Sequence, residues 1–294
     1  FAGIITMPYG NVGKMRSYGA DGNISYSQDI GKDFSFTIRG NFTYSKNDVQ
    51  NWEQADPKYP YQQISGMPYG VQRGYIALGL FRDDQDVESS PSQFGTVRPG
   101  DIKYKDVNGD GVIDSYDKVV GVGHPNVPEI VYGFGLNIEY KGFYASVFFQ
   151  GTGNCSVLLG GNTPEGWYPF AWGVDQSSYR TFALDRWTES NPSQNVLMPR
   201  LHKDNANNAN NQVASTWWLR NGGFLRLKNM EFGYQLPKQF LKKFNVQAAR
   251  IYVMGYNLAL WDNLKYFDPE AGNANGGNVY PKNRTFTLGI DFTF

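Results

Sequence analysis

One cysteine, Cys155, stands in 294 residues. No disulfide framework and no cysteine-based zinc site can form within the chain, so an unpaired, structurally incidental thiol is expected. A charge excess of either sign is also lacking, since 27 Lys and Arg balance 27 Asp and Glu. Without a net field, the chain has no electrostatic basis for binding nucleic acid or an anionic membrane surface. The two histidines, His124 and His202, are far apart in sequence, and neither falls in an HExxH-type helix. Neither G-x-S-x-G nor G-x-x-x-x-G-K-[ST] occurs, and no enzyme activity is expected. No apolar run reaches the ~18 residues a membrane-spanning helix needs. The chain opens on Phe1 with neither initiator Met nor signal peptide, and a fragment or processed piece is expected.

What is present is aromatic and glycine-rich: 20 Tyr, 20 Phe, 7 Trp and 34 Gly. Such a composition favours strands and turns. The last ten residues, TFTLGIDFTF, alternate strictly. Phe286, Leu288, Ile290, Phe292 and Phe294 are apolar, and the residues between them are small or polar. The same period of two recurs at 19–28, 34–47, 131–140, 143–151, 224–236 and 249–260. DIGKD and Lys141-Gly142 are hairpin turns between such runs.

Each run spans about ten residues, enough to cross a hydrocarbon layer when tilted by about 45°. Phe143, Tyr144, Phe148, Phe149, Tyr256 and Trp261 lie near strand ends, where a barrel carries its aromatic girdles. The alternate faces carry Asn137, Glu139, Asn229, Glu231, Thr287 and Asp291, which are too polar for a sandwich core. The fold expected is all-β, a portion of about seven strands from a large antiparallel transmembrane barrel. The alternative is a soluble β-sandwich with one wet face per sheet.

The connections alternate short and long. The short ones are 29–33, 141–142 and 236–247; the long ones are 48–130, 152–223 and 261–283. Outer-membrane barrels have short periplasmic turns and long extracellular loops. GYIALGLF, 74–81, reads as a strand, but counting it as a crossing would reverse that order. It is expected to be a non-membrane strand within one external excursion, 48–130. An open edge cannot sit in lipid, so further strands must complete the barrel.

The long connections also carry recognisable words. GDIKYKDVNGDGVIDSYDKVV (100–120), GHPNVPEIVYGFGLNIEYKGFYASVFFQGTGN (123–154), DRWTESNPS (185–193), MPRL (198–201), FLRLKNMEFGYQLP (224–237), RIYVMGYNLALW (250–261) and YPKNRTFTLGIDFTF (280–294) follow one another in order. In content and spacing they resemble the C-terminal part of SusC/RagA-like TonB-dependent outer-membrane transporters of Bacteroidetes. The resemblance covers nearly the whole chain and is most diffuse at 49–70 and 203–216.

It implies that residues 1–294 are one part of a barrel of about 22 strands, with the N-terminal part and plug not in this chain. It further implies a bacterial outer-membrane location and lipid contact. The implied activity is active import of oligosaccharides or peptides. The implied partners are a SusD-like surface lipoprotein lid and the TonB–ExbB–ExbD complex acting through the missing plug. Phe294 resembles the terminal residue of the barrel-assembly signal. The contrasting function is a secreted, calcium-stabilised β-sandwich that binds carbohydrate or mediates adhesion.

DVNGDGVIDSYD, 106–117, fits the calcium-loop pattern, with Asp106, Asn108 and Asp110 at positions 1, 3 and 5 and Gly111 at the turn. Val112 would offer its carbonyl, and Asp114 and Asp117 complete the set, with Asp in place of the usual bidentate Glu. A structural calcium ion is expected, against the alternative of an Asx-turn cluster needing no metal. Trp167, Trp172, Trp217 and Trp218 are candidates for stacking on substrate or meeting a partner, although loops this long also need such residues for their own core. Trp187 reads as structural. Asn205–Asn211, within HKDNANNANNQ (202–212), reads as a polar, mobile tip available to substrate or partner.

Overall fold

The computed structural model describes residues 13–159, 181–202, 209–271 and 282–294, with Gly10 and Tyr280. The alternating stretches form seven long strands: β1 (Lys14–Ile30), β2 (Phe34–Asn51), β3 (Ile130–Tyr140), β4 (Phe143–Gly153), β5 (Phe224–Gln235), β6 (Ala248–Asp262) and β7 (Thr285–Thr293). They pair antiparallel in chain order in one seven-stranded sheet. All three short connections therefore lie at one end and all three long ones at the other. Lys141 and Gly142 both take positive φ, the geometry of a tight two-residue hairpin.

The register carries the apolar alternation across the sheet. Tyr26, Ile38, Leu136, Val147, Met230, Gly255 and Phe286 stand opposite one another in turn. So do Ile30, Phe34, Tyr140, Phe143, Tyr234, Ile251 and Ile290. Residues directly opposite share a face, so these rows build one apolar surface. The other face carries rows such as Ser27, Thr37, Asn137, Ser146 and Glu231. The apolar face is bare, with Leu288 74% and Phe286 73% exposed. The other sheets among the described residues have two strands each, and no second layer forms a sandwich.

Three details differ from the sequence reading. β1 and β2 run 17 and 18 residues, longer than their apolar alternation. Their outer ends pair Met15 with Val49 between Arg16–Asp48 and Lys14–Asn51, and the register shifts at Lys14/Met15, so one apolar pair among polar ones leaves no sustained alternation to read. Of the six aromatics assigned to girdles, Phe143, Phe149 and Trp261 lie on the apolar face. Tyr144, Phe148 and Tyr256 lie on the polar face, with Tyr144 donating to Glu231. Finally, β5 carries a bulge at Lys228. Above it odd-numbered residues face the apolar side, and below it even-numbered ones do.

The buried core sits in the long connections, not in the sheet. Leu80, Ile102, Tyr104, Val157, Trp187, Met198, Trp218 and Leu264 belong to one cluster. Ala77–Leu80 pairs with Ile102–Tyr104, so the 74–81 segment is a strand outside the seven-stranded sheet, as expected. The first two long connections fold together: Tyr75 N donates to Ala214 O, and Gln194 brackets Leu80 through both its backbone groups. Gly100 has φ +91, and a Cβ there would lie 2.3 Å from the Trp187 ring. Trp187 is thus packed flat against backbone, the structural role its sequence context indicated. Cys155 is free and buried, and burial raises its thiol pKa.

Candidate functional site

The polar face of the sheet is a wall of hydrogen-bonding groups. Near the short turns, Tyr144 donates to Glu231 Oε1 at 2.7 Å, and Ser146 donates to Asn137 at 2.7 Å. Arg250 donates to Asp291 at 2.7 Å and lies 3.4 Å from Glu231. These groups come from β3, β4, β5, β6 and β7, and alternation alone puts them on one side.

Nearer the long connections, Arg226 is buried to 3% exposure. Its Nη2 donates to Asp268 Oδ1 at 2.6 Å, and its Nε lies 3.2 Å from Glu270 Oε1. The bulge turns Lys228 toward the same Glu270 at 3.2 Å, and Lys282 pairs with it as well. Two cations of β5 therefore clamp the last long connection onto the sheet through two of its carboxylates, and Lys282 of that same connection joins the cluster. A buried guanidinium tolerates this position because both acids face it. The sequence reading passed over the cluster; its only signal was an Arg at a polar-face position of FLRLKN.

The 106–117 segment is an Asx-turn cluster. Asp106 accepts from Gly109 N and Gly111 N, Asn108 Oδ1 from Asp110 N, and Asp110 Oδ1 from Val112 N. Asp114 caps the turn Ser115–Asp117. Asp117 is 0% exposed, and its two oxygens accept from Val107 N, Asn108 N and Asp114 N. Backbone N–H groups thus occupy one side of each carboxylate, and a carboxylate has lone pairs for more than one partner. Among the described residues, no group of three or more His, Cys, Asp or Glu side chains converges as a metal cage.

Trp218 is fully buried in the loop core and donates to Asn211 O at 2.9 Å. Trp217 is partly buried and donates to Leu197 O at 3.2 Å. Trp167 and Trp172 lie outside the described residues. Phe294 is 81% exposed and continues the apolar row of β7, its ring against Phe292.

The polar-tip reading of Asn205–Asn211 is overturned at Asn210 and Asn211. His202, Asn210 and Asn211 are buried. Asp101 takes His202 at 2.6 Å and Asn211 at 2.7 Å, while Asn211 Oδ1 accepts from Ile102 N. Asn210 Nδ2 donates to Ile102 O, and Gln93 completes the bracket. The amides replace a strand partner on the edge of Ile102–Tyr104 that does not face Ala77–Leu80, so Asn210 and Asn211 serve as interior scaffolding. Residues 203–208 lie outside the described part.

A cavity of 290 Å³ opens between the second and third long connections, with Asp185, Asn195, Arg220, Lys265 and Tyr266 in its lining. The sequence reading assigned it nothing.

No protein-family model matches the chain. Similar curated proteins are nonetheless found. TonB-dependent receptor P26 of Formosa agariphila is 32% identical over 244 residues, 79% of this chain and 23% of that receptor. Receptor P3 of the same organism is 25% identical over 97% of this chain and 29% of its own length. The SusC receptor of Bacteroides thetaiotaomicron is 23% identical over 97% of this chain and 27% of its own length. The solved structure of the RagAB peptide transporter superimposes with TM-score 0.68 and 23% identity, covering 97% of this chain and 30% of that one. This chain thus spans less than a third of each of these relatives. Those relatives are receptors and transporters, not enzymes. In sequence and in fold, this chain is a SusC/RagA-like part of a TonB-dependent receptor β-barrel of the outer membrane.

Proposed function

We propose that the chain supplies part of the wall and outer loops of an active importer for oligosaccharides or peptides. The observation that carries this reading is one sheet with a bare apolar face, a polar inner face and folded connections at one end only. Lipid solvates the first face, water and cargo the second. The long connections face outward, where they meet nutrient and a SusD-like lipoprotein lid. TonB–ExbB–ExbD acts through the plug of the whole protein. Phe294, at the end of an exposed apolar strand, serves as the address read during barrel assembly.

Calcium belongs to the same proposal. A calcium ion held by the 106–117 cluster would use Asp106, Asn108, Asp110, the Val112 carbonyl and Asp114, with the buried Asp117 as the inward ligand. Millimolar extracellular calcium is enough for a weak site of this kind.

The test is a deletion strain grown on a panel of glycans and peptides as sole nutrients. Loss of growth on one class, restored by the intact gene, supports import. Fractionation of the full-length product outside the outer membrane, soluble without detergent, would overturn it.

A further inference from the structure

Arg220 lies in the short strand Leu219–Asn221, on the floor of the 290 Å³ cavity. Its Nη1 donates to Trp217 O at 2.6 Å and Leu219 O at 2.9 Å. Those two bonds use both protons of Nη1, and the three on Nη2 and Nε have no acceptor among the described residues. No carboxylate among the described residues pairs with Arg220. Burial accordingly lowers its pKa, with no neighbouring anion raising it.

Arg220 is partly buried and Arg226 fully so. Arg226 faces two carboxylates; Arg220 faces open volume. Across the cavity Lys265 pairs with Asp185 at 3.3 Å, so the lining holds one positive charge in excess. Tyr266 presents a ring 40% exposed beside it, and Asn195 and Asn263 add amides. The Nε/Nη2 edge of a guanidinium is a planar fork that matches a carboxylate through two parallel bonds. A cavity of this size takes roughly one monosaccharide or amino-acid unit.

We propose that this cavity is a subsite for a carboxylate-bearing unit of the cargo, held by Arg220 and flanked by Tyr266. The chemistry is shared by two sources: the free C-terminus or acidic side chain of a peptide, and a uronic-acid residue of a glycan. That the carboxylate belongs to imported cargo rests on the import reading; that the cavity binds one does not.

The experiment uses the full-length transporter, purified in detergent, and titration calorimetry with two matched pairs. One pair is tetra-alanine as free acid and as C-terminal amide. The other is trigalacturonic acid and its methyl ester. The expected result is that the charged member of one pair binds at least about tenfold more tightly, and the pair identifies the source. Arg220→Gln should abolish that preference, and Arg220→Lys should keep only part of it.

Arg220 also holds two backbone carbonyls, so thermal unfolding is followed alongside. Lys265→Gln, at a side chain 71% exposed, leaves the fold intact and should lower the same preference by leaving Asp185 unpaired. Equal affinity within both pairs, or a preference that survives both Arg220→Gln and Lys265→Gln, overturns the proposal. Acid preference in a protein whose deletion costs no growth would count against import alone.

Discussion

Arg250 and Asp291 face each other across the last ladder of the sheet, Nε to Oδ2 at 2.7 Å. Arg250 Nη1 also donates to Tyr144 Oη at 3.3 Å and lies 3.4 Å from Glu231, so one side chain ties β7 to β4, β5 and β6. β7 pairs on one side only within the described residues, and this polar staple fixes its register where the ladder is shortest. Arg250→Ala combined with Asp291→Ala should reveal a coupling of about 0.2–1 kcal/mol in a double-mutant cycle, the range for solvent-accessible pairs. Urea titration of the heat-modifiable band on a gel measures it. Strict additivity of the two substitutions would show that the pair does not hold the strand.

Tyr252 lies over Gly289, where a Cβ would come within 2.3 Å of its ring. Gly289→Ala should therefore push the ring off the strand and lower barrel stability by about 1–3 kcal/mol, as overpacking does. Pairing it with Tyr252→Ala should recover much of the loss. If the single substitution leaves the urea midpoint unchanged, the ring does not rest there.

Trp218 anchors the loop core at 0% exposure. Trp218→Ala should cost about 3–5 kcal/mol of local stability and open the connections 52–129 and 154–223 to protease. The heat-modifiability of the barrel should persist, because the sheet's ladder does not depend on that core. Simultaneous loss of both would show a single cooperative unit.

The Asp86 carboxyl sits below the usual carboxylate range, chiefly because Lys103 Nζ donates to it at 2.7 Å and, next, because Arg82 N does at 3.1 Å. A lowered folded-state pKa contributes stability above the unfolded value of about 3.9, and that contribution is lost as pH falls through the folded value. Amide exchange in Asp84–Glu88 and Ile102–Tyr104 should accelerate below about pH 4. Asp86→Asn should show fast exchange already at neutral pH and no acid step of its own. An acid step of undiminished size in that variant would assign it elsewhere.

Asp106→Ala with Asp110→Ala removes the acceptors for Gly109, Gly111 and Val112 and should lower protease resistance of the first long connection in calcium. The metal proposal adds that a chelator does the same to the unaltered protein. Digestion of the unaltered protein that is identical with and without chelator counts against an ion there.

Seven strands, their order and their lipid-facing rows were legible because a period of two survives any register that keeps one face buried in a single phase. The 74–81 strand was legible through parity of the connections. The Lys228 bulge was not, since FLRLKNMEF alternates plausibly in either phase and only pairing with β4 and β6 reveals the extra residue. Asn210 and Asn211 looked like solvent residues because composition scores a side chain by its own polarity. Their burial is decided by the second edge of Ile102–Tyr104, about 100 residues away, whose backbone groups they satisfy.

By itself, the sequence determined that one side of each ribbon is oil and the other water, since side-chain alternation is a local property of an extended backbone. It also settled which ends carry long excursions. Only the tertiary structure decided which distant charges meet. Arg226 finding two acids and Arg220 finding none among the described residues depends on how separate connections fold over one another, and no spacing along the chain encodes that.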